Sequence, residues 1–266
     1  MPAFYTHYAV ARDGFLQLPT ECQKTISRCL PLYFFGAQGG DFCFFYPCAR
    51  PSANLGRLLH KDGYDFFKIL ATFSVNEMAF AYAMGYLSHY AADTTFHPYV
   101  YYLSGKSLLK HSNVEARLDQ FFKTKVQNRP DRDPFFSSAK QRLSPEQLNE
   151  LFLLYSAFAA KREMPPLSKS AFFRSISLFN AYMGASFAIF KRNLYPISDR
   201  ELLNTNRTPW QHPKSPTVYS DEGVSELYDR ALTEFSVCTN SFLHSVSKKI
   251  TPPWSIFGKN FLSGLL

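Results

Sequence analysis

The chain of 266 residues is 46% hydrophobic and 17% aromatic, which is enough to form the core of one large domain or two small ones and excludes a disordered chain. Its longest candidate apolar run, 78–87, is far shorter than the roughly 18 residues that a membrane span needs. The net charge of +8 is spread along the sequence. It favours phosphate-bearing partners or an anionic membrane surface, and ordinary solubility explains it at least as well.

The start of the sequence has no cationic segment, apolar stretch or small-residue cleavage site, so we expect no secretory signal. The cysteines are odd in number and match no zinc-finger or redox spacing. They indicate reduced thiols, with a metal clip of Cys43 and Cys48 as the alternative. Both observations predict a cytoplasmic protein, and they leave peripheral contact with an anionic membrane open.

The most informative stretch is 84–119, where His and carboxylate side chains recur every four residues. His89, Asp93 and His97 form one series, and His111 with Glu115 begins another that continues to Asp119. Residues i and i+4 share one helix face, so such pairs can converge on one cation, and His with carboxylate suits Zn²⁺. Because Pro98 follows His97 directly, we expect the helix to end or kink there.

A linked His-x-x-x-Asp-x-x-x-His pattern is expected by chance only about 0.015 times in a chain of this composition. Single histidines carry much less information, since most of them are ordinary core or surface residues. Taken alone, His7, His60, His212 and His244 receive that interpretation, and His111 with Glu115 could be a solvent-exposed helix pair. The linked pattern therefore carries the prediction of a metal site.

The later elements are also predicted to be helical. Ser144 to Gln147 form a capping box with Pro at the first helical position, which predicts a helix towards Arg162. Apolar residues at helical spacing predict two more helices, over 169–190 (Phe172, Ile176, Phe179, Met183, Phe187) and over 222–246 (Val224, Tyr228, Ala231, Phe235, Cys238, Phe242). The stretch 195–222 is rich in Pro, Ser, Thr and Asn and indicates a surface excursion. We therefore predict an all-α fold with residues 1–266 in a single domain.

The pattern resembles the zinc-dependent phospholipase C family, whose relatives include single-strand-specific zinc nucleases of the same α-helical fold. The matching segments occur in the family's order over about residues 4–120. They are THYAVA with His7, GAQGGDFCFFY with Asp41, GRLLHK with His60, GYLSHYAADTTFHPY with His89, Asp93 and His97, and HSNVEARLD with His111 and Glu115.

The resemblance implies a compact multi-helix domain with a cluster of up to three zinc ions. One zinc would be held by His60, His89, Asp93 and Asp41, with Asp41 alternatively acting as general base. His97, His111 and Glu115 would hold a second. His7 would reach a third, with Asp93 as a bridging carboxylate, and Asp119 would orient a ligand. Secreted relatives complete the third site with an N-terminal Trp that this sequence lacks, so we expect two well-occupied zincs and a weak or empty His7 site.

The resemblance further implies metal-dependent phosphodiester hydrolysis, most simply of a phospholipid. Phe42 to Tyr46 would form an apolar wall for lipid chains or a choline-like head group, with core packing as an equal alternative. A nuclease acting on single-stranded nucleic acid and a non-catalytic module with structural zinc remain alternatives. A diiron carboxylate bundle is disfavoured, because His outnumbers carboxylate. The sequence does not define the oligomeric state.

Overall fold

Helices form nearly all of the regular structure in the computed structural model, which describes residues 4–48, 54–127, 135, 142–189 and 197–266, without the side chains of 126–127 and 184–189. The helices are α1 (Phe4–Gln17), α2 (Thr20–Ser27), α3 (Leu30–Gly36), α4 (Leu55–Lys61), α5 (Tyr64–Phe73), α6 (Glu77–Ser104), α7 (Leu108–Gln127), α8 (Pro145–Lys161), α9 (Lys169–Ile189), α10 (Asp199–Leu203), α11 (Val224–Lys248) and α12 (Trp254–Phe257), with a 3-10 helix over Asp41–Phe45. The predicted all-α fold class is confirmed.

The long helix α6 forms the centre of the core. Its side chains from Ala81 to Val100 are all buried, because α1, α3, α7 and α11 pack around it. The crossing with α3 is close at Gly85, where a Cβ atom would overlap the carbonyl oxygen of Tyr33. Three of the predicted metal-binding residues lie on this helix, so the core holds them in place.

Of the two alternatives expected at Pro98, an end of the helix is wrong, since α6 continues to Ser104. Pro98 lacks an N–H group and cannot donate to the carbonyl of Thr94 within the helix. The packing of other elements around the buried helix outweighs that local cost. Asn76 begins the helix by accepting a hydrogen bond from the N–H of Met78, at 2.8 Å.

The predicted capping box opens α8. The Ser144 hydroxyl accepts from the N–H of Gln147 at 3.3 Å, and the Gln147 side chain accepts from the N–H of Ser144 at 2.9 Å. The two remaining predicted helices correspond to α9 and α11, and most of their predicted apolar residues are buried. The side chain of Phe187, predicted to belong to the apolar face of α9, lies outside the described residues.

The segment 195–222, predicted as a surface excursion, contains regular secondary structure and several buried residues. It contains α10 and two short antiparallel strands, β1 (Trp210–Gln211) and β2 (Tyr219–Ser220), in which Trp210 pairs with Ser220. Trp210 is buried against Tyr99 and Tyr102 of α6, and His212 is also buried. Many of its other described residues are exposed. Alternation over two residues is too short to reveal such strands in a sequence.

The structure also bears on the predictions about the cysteines and about a membrane-spanning segment. The cysteines are all free thiols; Cys43 is buried and Cys48 is exposed. None of the helices formed by the described residues combines the length and apolar character that a membrane span requires.

Candidate metal centre

Five elements bring the eight predicted metal-binding residues into one buried region. The residues are His7 on α1, Asp41 at the start of the 3-10 helix, His60 on α4, His89, Asp93 and His97 on α6, and His111 and Glu115 on α7. Each of them is less than 9% exposed. Their ligand atoms form three groups of closely spaced His and carboxylate side chains.

The first group consists of Asp41, His60 and His89. The Nε2 atom of His60 lies 3.1 Å from Oδ1 of Asp41, and Nε2 of His89 lies 4.0 Å from the same oxygen. The Nδ1–H of His60 can donate to the carbonyl of Gly56 at 2.8 Å, and that tautomer leaves the lone pair of Nε2 directed at the group.

The turn that presents Asp41 depends on Gly39. This glycine has φ of +57°, and a Cβ atom there would overlap the ring of His89. Only glycine fits the left-handed conformation and the contact together. The GAQGGD segment therefore brings its carboxylate to His89 because position 39 has no side chain.

The second group consists of His97, His111 and Glu115. The Oε1 atom of Glu115 lies 3.4 Å from Nε2 of His97 and 3.1 Å from Nε2 of His111. The opposite ring nitrogen of His97, Nδ1, lies 3.1 Å from the carbonyl oxygen of Phe261 near the end of the chain. A hydrogen bond there fixes the tautomer and directs Nε2 towards Glu115.

The third group consists of His7, His89 and Asp93. The Oδ1 atom of Asp93 lies 3.4 Å from Nε2 of His7 and 3.6 Å from Nδ1 of His97. Its Oδ2 atom lies 3.2 Å from Nε2 of His89 and 3.6 Å from Nε2 of His60. This central position is the one that a bridging carboxylate would occupy, as the resemblance implied.

Charge and burial explain why the region suits cations. Burial alone would raise the pKa of Asp41, Asp93 and Glu115, but the pKa of each of these carboxyl groups lies below its usual range, and neighbouring histidines contribute to that lowering. Burial lowers the pKa of His89 to about 4, so this imidazole is neutral at pH 7. Against the effect of burial, the Asp41 and Asp93 carboxylates raise the pKa of His60 to about 10, and a bound cation would take the place of that proton. Buried carboxylates together with imidazoles are the donor set that zinc prefers.

Several buried nitrogens have no hydrogen-bond partner among the described residues. They are both ring nitrogens of His89, Nδ1 of His7 and Nδ1 of His111. A buried polar atom without a partner costs free energy, and the Nε2 lone pair of a neutral imidazole can be satisfied by a metal ion. The unpartnered Nε2 atom of His89, which lies 3.2 Å from Asp93 and 4.0 Å from Asp41, is the observation that best fits a bound metal.

Asp119 has a different position from the one expected of a residue that orients a ligand side chain. Its Oδ1 accepts a hydrogen bond from the backbone N–H of Thr6 at 3.0 Å. Asp119 therefore fixes the start of α1, the helix that carries His7. Burial raises the pKa of this carboxyl to about 8, even though backbone hydrogen bonds oppose the shift.

The aromatic run after Asp41 contains both buried and partly exposed rings. Phe42 is fully buried against Tyr155 and Phe172, so it belongs to the core. Phe44, Phe45 and Tyr46 are half-exposed, and the ring of Phe44 lies 5.0 Å from that of His60. The wall proposed from Phe42 to Tyr46 can thus involve only the last three of these aromatic residues.

Sequence reasoning missed two side chains at the centre. The buried ring of Phe261 lies 5.1 Å from that of His60 and 5.9 Å from that of His89. The half-exposed ring of Tyr101 lies 4.6 Å from His111 and 5.9 Å from His97. Tyr101 follows His97 by four residues, which was a usable signal, whereas Phe261 is too distant in sequence to be found by spacing.

The remaining candidate residues lie elsewhere. His212 contacts the carbonyl of Ser263 at 2.8 Å and His244 is exposed, and neither belongs to the three groups. Among the described residues, no cysteine joins those groups either, which leaves the proposed Cys43–Cys48 clip without support.

A mostly helical fold with closely spaced, buried His and carboxylate side chains is typical of helical metalloproteins. Comparison with family models is more specific: residues 6–163 match the model described as zinc dependent phospholipase C. The chain belongs to this family. The match extends beyond the segments recognised in the sequence and includes α8. No curated protein and no solved structure matches the chain significantly.

Proposed function

We propose that the chain is a zinc-dependent phosphodiester hydrolase that cleaves a phospholipid or a related phosphodiester in the manner of phospholipase C. Family membership and the three His/carboxylate groups support zinc binding and a phosphodiesterase-type function. The arrangement that carries the proposal is Asp41 beside His60 and the unpartnered His89, because it combines candidate ligands with a carboxylate that could accept a proton.

The residues present fit zinc, and we assign them as its ligands. Asp41, His60, His89 and Asp93 would hold one ion, and His97, His111 and Glu115 a second. His7, beside Asp93 and His89, would contribute to a third site of lower occupancy. Zinc bound at such a centre supplies Lewis-acid chemistry, lowering the pKa of water towards ~7 and stabilising negative charge on phosphoryl oxygens.

The chain's own groups would orient the reaction. Asp41 lies within hydrogen-bond distance of His60, and its depressed pKa keeps the carboxylate ionised at neutral pH. An ionised Asp41 can hold a water molecule or accept its proton, besides serving as a ligand. Asp93, placed between four histidines, would keep the ligand rings at fixed separations.

The half-exposed rings of Phe44, Phe45 and Tyr46 would border the bound substrate. They begin beside His60, where an apolar acyl chain or a quaternary ammonium group could contact their faces. This position favours a lipid over a strongly charged polymer, and the positive net charge is compatible with contact at an anionic membrane.

Zinc analysis combined with assays on three substrates tests the proposal. The zinc-loaded protein should release phosphorylated head group from phospholipid in mixed micelles and cleave a soluble chromogenic phosphodiester. Asp41→Asn should lose turnover by orders of magnitude while losing much less zinc, whereas Asp221→Asn, at an exposed aspartate elsewhere, should change neither. Cleavage of single-stranded nucleic acid alone would indicate a nuclease, and full zinc content without hydrolysis would indicate a structural module.

We further propose that residues 1–266 form one domain, because α11 packs against both α1 and α6 although it lies outside the matched family segment. The cytoplasmic location expected from the sequence remains a prediction, and fractionation of cells that express the protein tests it.

A further inference from the structure

The connection between α6 and α7 exposes an apolar pair beside the candidate metal centre. Leu108 is 80% exposed and Leu109 is 63% exposed, and they form the first turn of α7. The turn preceding them contains Gly105, which has φ of +57° and open space around the position of a Cβ atom. Two adjacent leucines that project into solvent remain available for a partner.

The chemistry around this pair is basic and amphipathic. Lys106 and Lys110 flank the leucines and are exposed, and Tyr102, on the last turn of α6, is 43% exposed. No acidic residue occurs between Tyr99 and Val114. Leucines that enter the acyl region, a tyrosine at head-group level and lysines facing anionic lipids are the features of an interfacial membrane contact.

The position of this surface relates it to the metal centre. His111 is the fourth residue of α7, so its backbone lies only about 4.5 Å along the helix axis from Leu108. The partly exposed ring of Tyr101 contacts both His111 and His97, and Tyr101 lies in the last turn of α6, which leads into the connection. A lipid surface touching Leu108 and Leu109 would therefore lie next to the ligands of the second group.

We propose that Tyr102, Lys106, Leu108, Leu109 and Lys110 form a docking tip for an anionic phospholipid surface. This inference extends the proposed function by assigning the surface that brings the centre to its substrate. The charge pattern favours anionic lipid over a second copy of this chain, whose own net charge of +8 would oppose association through a basic tip.

Vesicle binding tests the docking tip without depending on catalysis. The protein should cosediment with vesicles of phosphatidylserine and phosphatidylcholine more strongly than with phosphatidylcholine alone. Leu108→Ser with Leu109→Ser should weaken binding by about tenfold or more, since two apolar side chains would no longer transfer from water into the acyl region. Lys106→Ala with Lys110→Ala should weaken it several-fold, and only at low salt.

The matched control for the leucines lies at the other end of α6, and the matched controls for the lysines lie on other helices. Val75 is 85% exposed and precedes this helix of 28 residues, about 42 Å from its C-terminal end. Val75→Ser should leave vesicle binding unchanged, as should Lys161→Ala with Lys248→Ala at exposed lysines elsewhere. Because all of these side chains are exposed, every variant should keep the melting temperature of the parent protein.

Two results would overturn the proposal. In the first, the double leucine variant binds vesicles as well as Val75→Ser does. In the second, the parent protein self-associates, and the double leucine variant loses that self-association but still binds vesicles. The latter would identify a second copy as the occupant. The double leucine variant should also retain hydrolysis of a soluble phosphodiester while losing it on vesicles. If the parent protein hydrolyses neither, the proposed activity fails, but the vesicle-binding result still decides whether the tip docks.

Discussion

The Nδ1 atom of His97 lies 3.1 Å from the carbonyl oxygen of Phe261, although 164 residues separate them in the chain. The backbone N–H of Phe261 in turn donates to the carbonyl of His60 at 3.1 Å. The last residues of the chain therefore contact elements of both the first and the second His/carboxylate group. This segment lies outside the residues that match the family model.

We predict that Phe261→Ala weakens zinc binding as well as stability. Removing this buried ring should cost about 3–5 kcal/mol and loosen the segment whose carbonyl orients His97. Loss of such an orienting contact typically lowers metal affinity 10–100-fold. Competition with a chromogenic chelator measures the affinity. Phe257→Ala is the matched control, because Phe257 is equally buried and its ring contacts none of the candidate ligands. Equal zinc affinities in the two variants would contradict the prediction.

His89→Ala, Asp93→Asn and His111→Ala should each lower the zinc content and abolish hydrolysis, because each removes a candidate ligand. They should also lower the melting temperature, since metal binding contributes to folding free energy. His111→Ala should affect the second group alone, whereas Asp93→Asn should affect the first zinc site and the His7 site. Elemental analysis and thermal unfolding measure both effects, with His244→Ala as the control. Full zinc content in all three variants would refute the assignment.

The number of ions can be counted by native mass spectrometry. We expect two tightly held zincs in the parent protein and the same two in His7→Ala, because the described residues around His7 offer only His89 and Asp93, which we also assign to the first zinc. A third tightly held zinc that disappears with His7→Ala would show that further donors complete this site.

Asp119 should make the metal-free protein less stable as the pH rises. Its folded pKa of about 8 exceeds the ordinary value of 3.8, so the folded state retains a proton that the unfolded state releases. The stability that this group contributes is fully present below about pH 4 and is lost as the pH rises through about 8. Asp119→Asn keeps an acceptor for the N–H of Thr6 and removes the charge, so its stability should vary less over this range. Urea unfolding at several pH values tests this, and an unchanged pH dependence would contradict it.

The cysteines should differ sharply in reactivity. Cys48 is exposed, whereas burial raises the pKa of Cys238 to about 12 and that of Cys43 well above its usual range. A thiol reagent should therefore modify Cys48 rapidly in the native protein and reach Cys43 and Cys238 only after unfolding. Mass spectrometry of the modified peptides measures this, and Cys48→Ser should remove the fast phase.

Helical spacing was sufficient to predict which candidate ligands meet when they lie on the same helix. His89, Asp93 and His97 converge because they share one helix face, and His111 with Glu115 does so for the same reason. His7, Asp41 and His60 were recognised only through the family resemblance, since each is alone on its element. Spacing within one element carries no information about which elements meet.

Tertiary packing accounts for what the sequence did not reveal. The rule that ends a helix before proline is correct locally, but packing around α6 overrides it at Pro98. The role of Gly39 depends on the ring of His89, and that of Phe261 on a contact across 164 residues. Such relationships arise only once the chain has folded.

The burial of α6 divides the centre into a fixed and an adjustable half. His89, Asp93 and His97 cannot shift without dismantling the packing on every side of their helix. Asp41 and His60 are buried as well, but they lie on a 3-10 helix and a short helix beside the partly exposed rings of Phe44, Phe45 and Tyr46, so these two elements border solvent as well as the core. Any plasticity needed to admit substrates of different size must come from this second half, so variation in substrate range among related chains should concentrate there while the buried helix stays unchanged.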